Sequence, residues 1–120
     1  MKLVNGFCSS SFQEEIEIEP NIKDHIIVVG FVFSGKAVSK AAKTTEISYI
    51  IVESDPETVK QEKMKGERIQ YGDAIFEAVL KHARIKNVRV LVIWILDEAA
   101  IRKIVEKAKE LNPNVYIIAK

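Results

Sequence analysis

The stretch His25-Ile26-Ile27-Val28-Val29-Gly30-Phe31-Val32-Phe33-Ser34-Gly35 constrains this chain more than any other part of it. An apolar run enters a glycine turn and a helical pattern leaves it, the order in which a phosphate-binding strand–turn–helix is built. Gly30 and Gly35 hold the outer two places of the G-x-G-x-x-G pattern. The first glycine lets the backbone turn sharply, and the last lets the helix lie close to the sheet. Between them, helix amides and a partial positive charge face an anion. The middle place belongs to Val32, which puts a branched side chain where a pyrophosphate would otherwise lie against bare backbone. Losing such a contact leaves polar groups poorly paired, at about 1–3 kcal/mol each. Two readings stay open at this turn: a nucleotide site, or a turn that keeps the fold without the ligand. Phe31 and Phe33 sit in the same turn and are expected to cover the crevice or to meet a neighbouring subunit.

From His25 onward, strand and helix patterns alternate. Strands are predicted at His25–Val29, Ser48–Glu53, Arg68–Tyr71, Val88–Ile95 and Val115–Ala119. The first helix spans about Gly35 to Lys43, with Val38, Ala41 and Ala42 on one face. Asp55 caps the second, Pro56 suits its first position and Gly66 its left-handed end. Asp73 is the expected cap of the third, where Phe76, Val79, Leu80 and Ala83 recur at helical spacing. Asp97 caps the fourth, whose stripe is Ile101, Ile104, Val105, Ala108 and Leu111 before Asn112-Pro113 stops it. Strands apolar on both faces need helices on both sides, and helical crossovers make them parallel. The expectation is therefore an α/β, Rossmann-like open parallel sheet in the order 3-2-1-4-5 over residues 25–120. Its ligand crevice lies at the carboxyl ends of strands one and four. Residues 1–24 read as a lead-in or linker: Ser9-Ser10-Ser11 is loop-like, and Glu14–Glu19 alternates acid with isoleucine as a short edge strand or extended linker would.

A net charge of +1 gives no electrostatic case for nucleic acid or an anionic membrane. No apolar run is long enough to span a bilayer, and the N-terminus lacks a continuous apolar signal-peptide core. The single cysteine, Cys8, excludes an internal disulfide and suits a reducing cytoplasm, and no metal-ligand spacing is present.

Glu53 ends strand two, about twenty residues past the glycine turn, where an acid accepts both ribose hydroxyls of an adenosine and disfavours a 2′-phosphate. That favours NAD or an adenine nucleotide over NADP; the alternative is a solvated strand end. Asp55 lies near the ribose end, and Gly72-Asp73-Ala74 follows strand three at the adenine side of the crevice. His82 reads as a surface or packing residue, His25 opens strand one far from the crevice, and Trp94 reads as core or interface. No serine or cysteine nucleophile has a placed histidine, and a dehydrogenase would need a second domain to hold substrate. The pattern is that of a sensor rather than an enzyme, with a small NAD-dependent oxidoreductase subunit as a lesser alternative.

From about residue 22 on, the chain resembles the TrkA-N domain, the N-terminal domain of the regulators of potassium conductance (RCK), in the form found in Kef-type potassium/proton antiporters. The resemblance is carried by Ile22–Gly30, Val52-Glu53-Ser54-Asp55-Pro56-Glu57, Tyr71-Gly72-Asp73-Ala74, Val79-Leu80 and Leu111-Asn112-Pro113. It implies a cytoplasmic regulatory domain at the inner face of the membrane, gating a potassium or cation transporter on the same chain or a separate subunit. It also implies a homodimer or higher ring, and NAD(H), AMP or ATP as ligand. Carried over by position, Gly30, Phe31, Val32, Phe33, Ser34 and Gly35 form the phosphate turn. Glu53, Ser54 and Asp55 then hold the ribose, and Gly72, Asp73 and Ala74 line the adenine side. The family usually has glycine and then often arginine where this chain has Val32 and Phe33. A ligand-free interaction or dimerisation module is therefore the alternative.

Overall fold

A computed structural model describes residues 21–119, apart from the side chains of Phe33 and Ser34. The extended segment expected within Glu14–Glu19 lies outside these residues. Strands β1 (Ile26–Val29), β2 (Tyr49–Glu53), β3 (Ile69–Tyr71), β4 (Val90–Ile93) and β5 (Tyr116–Ala119) form one parallel sheet in the order β3-β2-β1-β4-β5. Between them run α1 (Lys36–Thr45), α2 (Pro56–Met64), α3 (Glu77–His82) and α4 (Glu98–Leu111). This is the expected open α/β sheet.

The register explains why β1 is apolar throughout. Val28 pairs beside Ile51 and Val92, while Ile27 pairs beside Ile50 and Leu91. Side chains alternate across a strand, so the two rows face opposite ways. Val28 and Ile51 pack with Ala42 of α1 and Val59 of α2. Ile27, Ile50 and Leu91 pack with Leu80 of α3 and with Ile104 and Ala108 of α4. Ile22, just before the sheet, is buried in this second cluster, and the Asp24 N–H donates to the Asn87 carbonyl (2.8 Å).

Most elements match the sequence pattern to within a residue or two, and two differ by more. The fourth strand is Val90–Ile93, not Val88–Ile95, because β5 offers ladder partners only to those four residues. The third helix starts at Glu77, with Phe76 at its N-cap position, so Asp73 does not cap it. Instead the Asp73 carboxylate accepts the Ile75 N–H (3.1 Å) and its carbonyl accepts the Phe76 N–H (3.1 Å). A short acidic side chain that bonds backbone two residues on closes a turn and delays the helix. Phe76 is consequently 60% exposed and leaves the stripe to Val79, Leu80 and Ala83. Asp97 caps α4 as expected, accepting the Ala100 N–H (3.2 Å), and Gly66 takes a positive φ of 87° after α2.

A three-residue network ties α1 to the sheet. The Ser39 hydroxyl donates to Glu67 (2.8 Å), and the Tyr49 hydroxyl bonds the other Glu67 oxygen. Burial works to raise the Glu67 pKa, but the bonds from Tyr49, Ser39 and the Arg68 amide outweigh it and hold the carboxyl below its ordinary value. Burial and the Glu67 bond push the Tyr49 hydroxyl up.

His25 is fully buried, and its Nε2–H donates to the Ala83 carbonyl (2.8 Å), while Nδ1 has no partner among the described residues. Burial, helped by the charge of Arg84, lowers its pKa below the ordinary 6.5 against the opposing Ala83 bond and Asp24. The unfolded chain then takes up the proton first as pH falls, so stability present above 6.5 drains away below it. We expect the urea midpoint to fall from pH 7.5 to 5.5 (about the range of histidine titration) and this slope to flatten in His25→Gln; equal slopes in both proteins would disprove the assignment.

Candidate functional site

An open parallel sheet makes a crevice where neighbouring strands send their chains to opposite faces. Here that point lies between β1 and β4, since the chain leaves β1 toward β2 and leaves β4 toward β5. Gly30 sits at its floor with φ 99° and donates its N–H to the Val52 carbonyl (3.0 Å). A Cβ at this position would stand 2.8 Å from the Trp94 carbonyl oxygen and 3.1 Å from Ile95, so both the angle and the space demand glycine. Gly35 has ordinary helical angles, and its requirement is space: a Cβ would meet Phe31 at 3.1 Å, the Gly30 carbonyl at 3.2 Å and Ile51 at 3.5 Å.

The turn itself winds wider than an α-helix. Phe31–Gly35 form a π-helical turn in which the Gly35 N–H reaches the Gly30 carbonyl (3.1 Å) and the Lys36 N–H reaches the Phe31 carbonyl. Five-residue spacing leaves the amides of Phe31 through Ser34 ahead of the first intrahelical bond, at the positive end of the helix dipole. The Phe31 N–H is taken by Glu53 Oε1 (3.0 Å), whose other oxygen accepts the Asp55 N–H (2.9 Å). The backbone carbonyl of Glu53 accepts the Gly72 N–H (2.9 Å). One residue at the end of β2 thus ties together the turns that follow β1, β2 and β3.

The other predicted residues divide by what they present. Val32 is 68% exposed at the mouth of the turn, while Phe31 is buried in the core and offers the crevice only its backbone. Ser54 and Asp55 are exposed after β2. Asp55 occupies the N-cap position of α2, where its carboxylate accepts the Thr58 hydroxyl (2.6 Å), a bond that lowers its pKa. Gly72 lies against Val79, whose methyl carbons would sit 3.0 Å from an added Cβ. Asp73 is exposed, whereas the Ala74 side chain is buried in the core, leaving its backbone to the turn. Sequence reasoning missed the opposite wall. Of the two readings of Trp94, core or interface, its exposure leaves the interface one, and Leu96 beyond it is 80% exposed. The apolar run through Ile95 concealed this, because hydropathy alone does not show where β4 loses its partner.

Among the described residues, no cluster of histidine, cysteine and acidic side chains could hold a metal ion, and no helix is long and apolar enough to cross a membrane. The pattern of the TrkA-N domain matches residues 26–120. The chain belongs to the TrkA-N family. Potassium channel protein 1 of Methanocaldococcus jannaschii is 31% identical over 101 residues, covering 82% of this chain and 30% of that protein. A glutathione-regulated potassium-efflux system protein of Haemophilus influenzae is 26% identical over 108 residues, covering 90% of this chain and 18% of that protein. The chain thus spans less than a third of either curated relative. Among solved structures, Kef CTD of Shewanella denitrificans in its AMP-bound form superposes with a TM-score of 0.67 at 25% identity, covering 79% of this chain and 56% of that one. The GsuK channel bound to NAD gives 0.75 at 18% identity, covering 87% and 19%, and shows the shared fold.

Strain and space at Gly30 generate a test of this TrkA-N crevice. Gly30→Ala is expected to lose about 1–3 kcal/mol of stability, from a positive φ and contact with an immobile carbonyl. Gly35→Ala, at a helical φ, is expected to lose less. Urea denaturation of both variants checks the order, and a larger loss at Gly35 would refute it.

Proposed function

We propose that this TrkA-N domain senses an adenine nucleotide and regulates a potassium or cation transport system at the inner face of the membrane, acting as a homodimer or ring rather than as an enzyme. The observation that carries this reading is Glu53, with both carboxylate oxygens on backbone amides beside the open end of the glycine-turn helix. A ribose diol that approaches β2 meets that carboxylate as acceptor. A phosphate meets the amides of Val32, Phe33 and Ser34 and the helix dipole. Similarity to potassium channel and potassium-efflux proteins, and to domains solved with AMP and NAD, supports the assignment. Exposed Val32 favours a nucleotide that does not need a pyrophosphate pressed on the turn, so AMP, with its single phosphate, suits this crevice better than ATP or NAD(H). Ligand binding gates transport only if it favours one arrangement of the assembly over another.

A second reading, a ligand-free docking module, draws on the same turn: Val32 covers it and Glu53 already satisfies the Phe31 amide. Calorimetric titration separates the two. We expect saturable AMP binding that weakens about tenfold or more in Glu53→Ala, the loss of at least one charge-assisted bond. We expect NADH affinity to rise in Val32→Gly. Folded protein silent to both ligands, with no gain in Val32→Gly, would establish the docking module instead.

A further inference from the structure

Helix α1 has two functional ends. Its first turn belongs to the crevice, but its flank lines a separate open groove of about 460 Å³ that runs between α1, the end of α2 and the entry to β3. Lys36, Lys40 and Lys43 line it. At spacings of four and three residues they share one helix face. The opposite wall carries Glu62, Lys65 and Glu67.

The acids there are already engaged. Glu62 pairs with Lys65 (3.3 Å). Glu67 accepts from Ser39, Tyr49 and the Arg68 N–H (3.0 Å), so both its oxygens point into the network that ties α1 to the sheet. Lys36, Lys40 and Lys43 form no ion pair among the described residues. Three like charges on one helix face repel each other, so a bound anion would relieve them. Lys43 feels the Glu67 charge across the groove, but Lys36 and Lys40 line it beside acids whose oxygens are already bonded, and the concave shape and these cations have the same chemical complement.

We propose that this groove is a second anion site, for a ligand bearing two or more linked or clustered phosphates. Lysine ammonium groups are compact point charges on flexible stems and suit phosphate oxygens approached from several directions. Lys36 to Lys43 covers about 10 Å along the helix axis, longer than one phosphate and suited to a run of them. The same chemistry is offered by a soluble polyphosphate and by a phosphorylated lipid headgroup. The site is independent of any nucleotide in the crevice, which it meets only through Phe31 at its upper end.

The test is NMR titration of the full chain with tripolyphosphate. Saturable shifts are expected at Lys36–Thr44 and Glu62–Arg68. A Lys40→Gln/Lys43→Gln double variant, both positions exposed, should bind about tenfold or more weakly, a loss of about 1.4 kcal/mol. Lys103→Gln/Lys109→Gln on α4 should bind as the parent does. Shifts spread evenly over the lysines of both helices, shifts confined to Val32–Gly35, or an unaltered double variant would each overturn the site. Sedimentation with vesicles containing a bisphosphorylated inositol lipid, lost in the double variant, assigns the lipid source. Tripolyphosphate binding without sedimentation assigns the soluble one.

Discussion

The close approach of the chain after β1 to the chain after β4 governs this molecule. β1 is paired on both sides and covered on both faces, so its chain has one way out, over the carboxyl edge and under the Trp94 carbonyl. Only a residue without a Cβ passes there at a φ of 99°. From that passage follow the start of α1, the wide first turn with its forward-facing amides, and a crevice between β1 and β4. The features that build the fold and those that would receive an anion are the same few atoms.

Glu53 adds a second constraint. A carboxylate at the end of a buried strand is tolerated because two backbone amides satisfy it. Those amides belong to the turns after β1 and β2, and its backbone carbonyl holds the turn after β3. In the proposed function, a ribose would compete with the glycine turn for the same oxygens, so occupancy of the crevice and the set of the turn become one equilibrium. That is a physical route from a bound nucleotide to the shape of the domain surface, without a moving lid.

Much of this was legible in the residues. The sheet order followed from strands apolar on both faces joined by helices, and the N-cap position of Asp55, the cap bond of Asp97 and the left-handed Gly66 followed from local chemistry. Asp73 shows the limit of local reasoning. The residue type is right for a cap, but the same carboxylate closes a turn two residues on, and only the position of α3 against the sheet decides between these uses. Trp94 and Leu96 illustrate a different limit, since an apolar run reads as strand whether or not a neighbour accompanies it to the end. The lysine groove was invisible because its two walls are distant in sequence.

By itself, the sequence determined the alternation of strand and helix, the parallel sheet, the glycine turn and the acid after β2, because periodicity and backbone freedom are properties of neighbouring residues. Tertiary structure alone decided that Glu53 grips the Phe31 amide, that the turn opens as a π-helix, that Ala74 turns inward while Val32 stands outward, and that His25 is sealed beneath Ala83. Each of these depends on which groups the packed sheet and helices bring within a few ångströms, and such distances are set across the chain rather than along it.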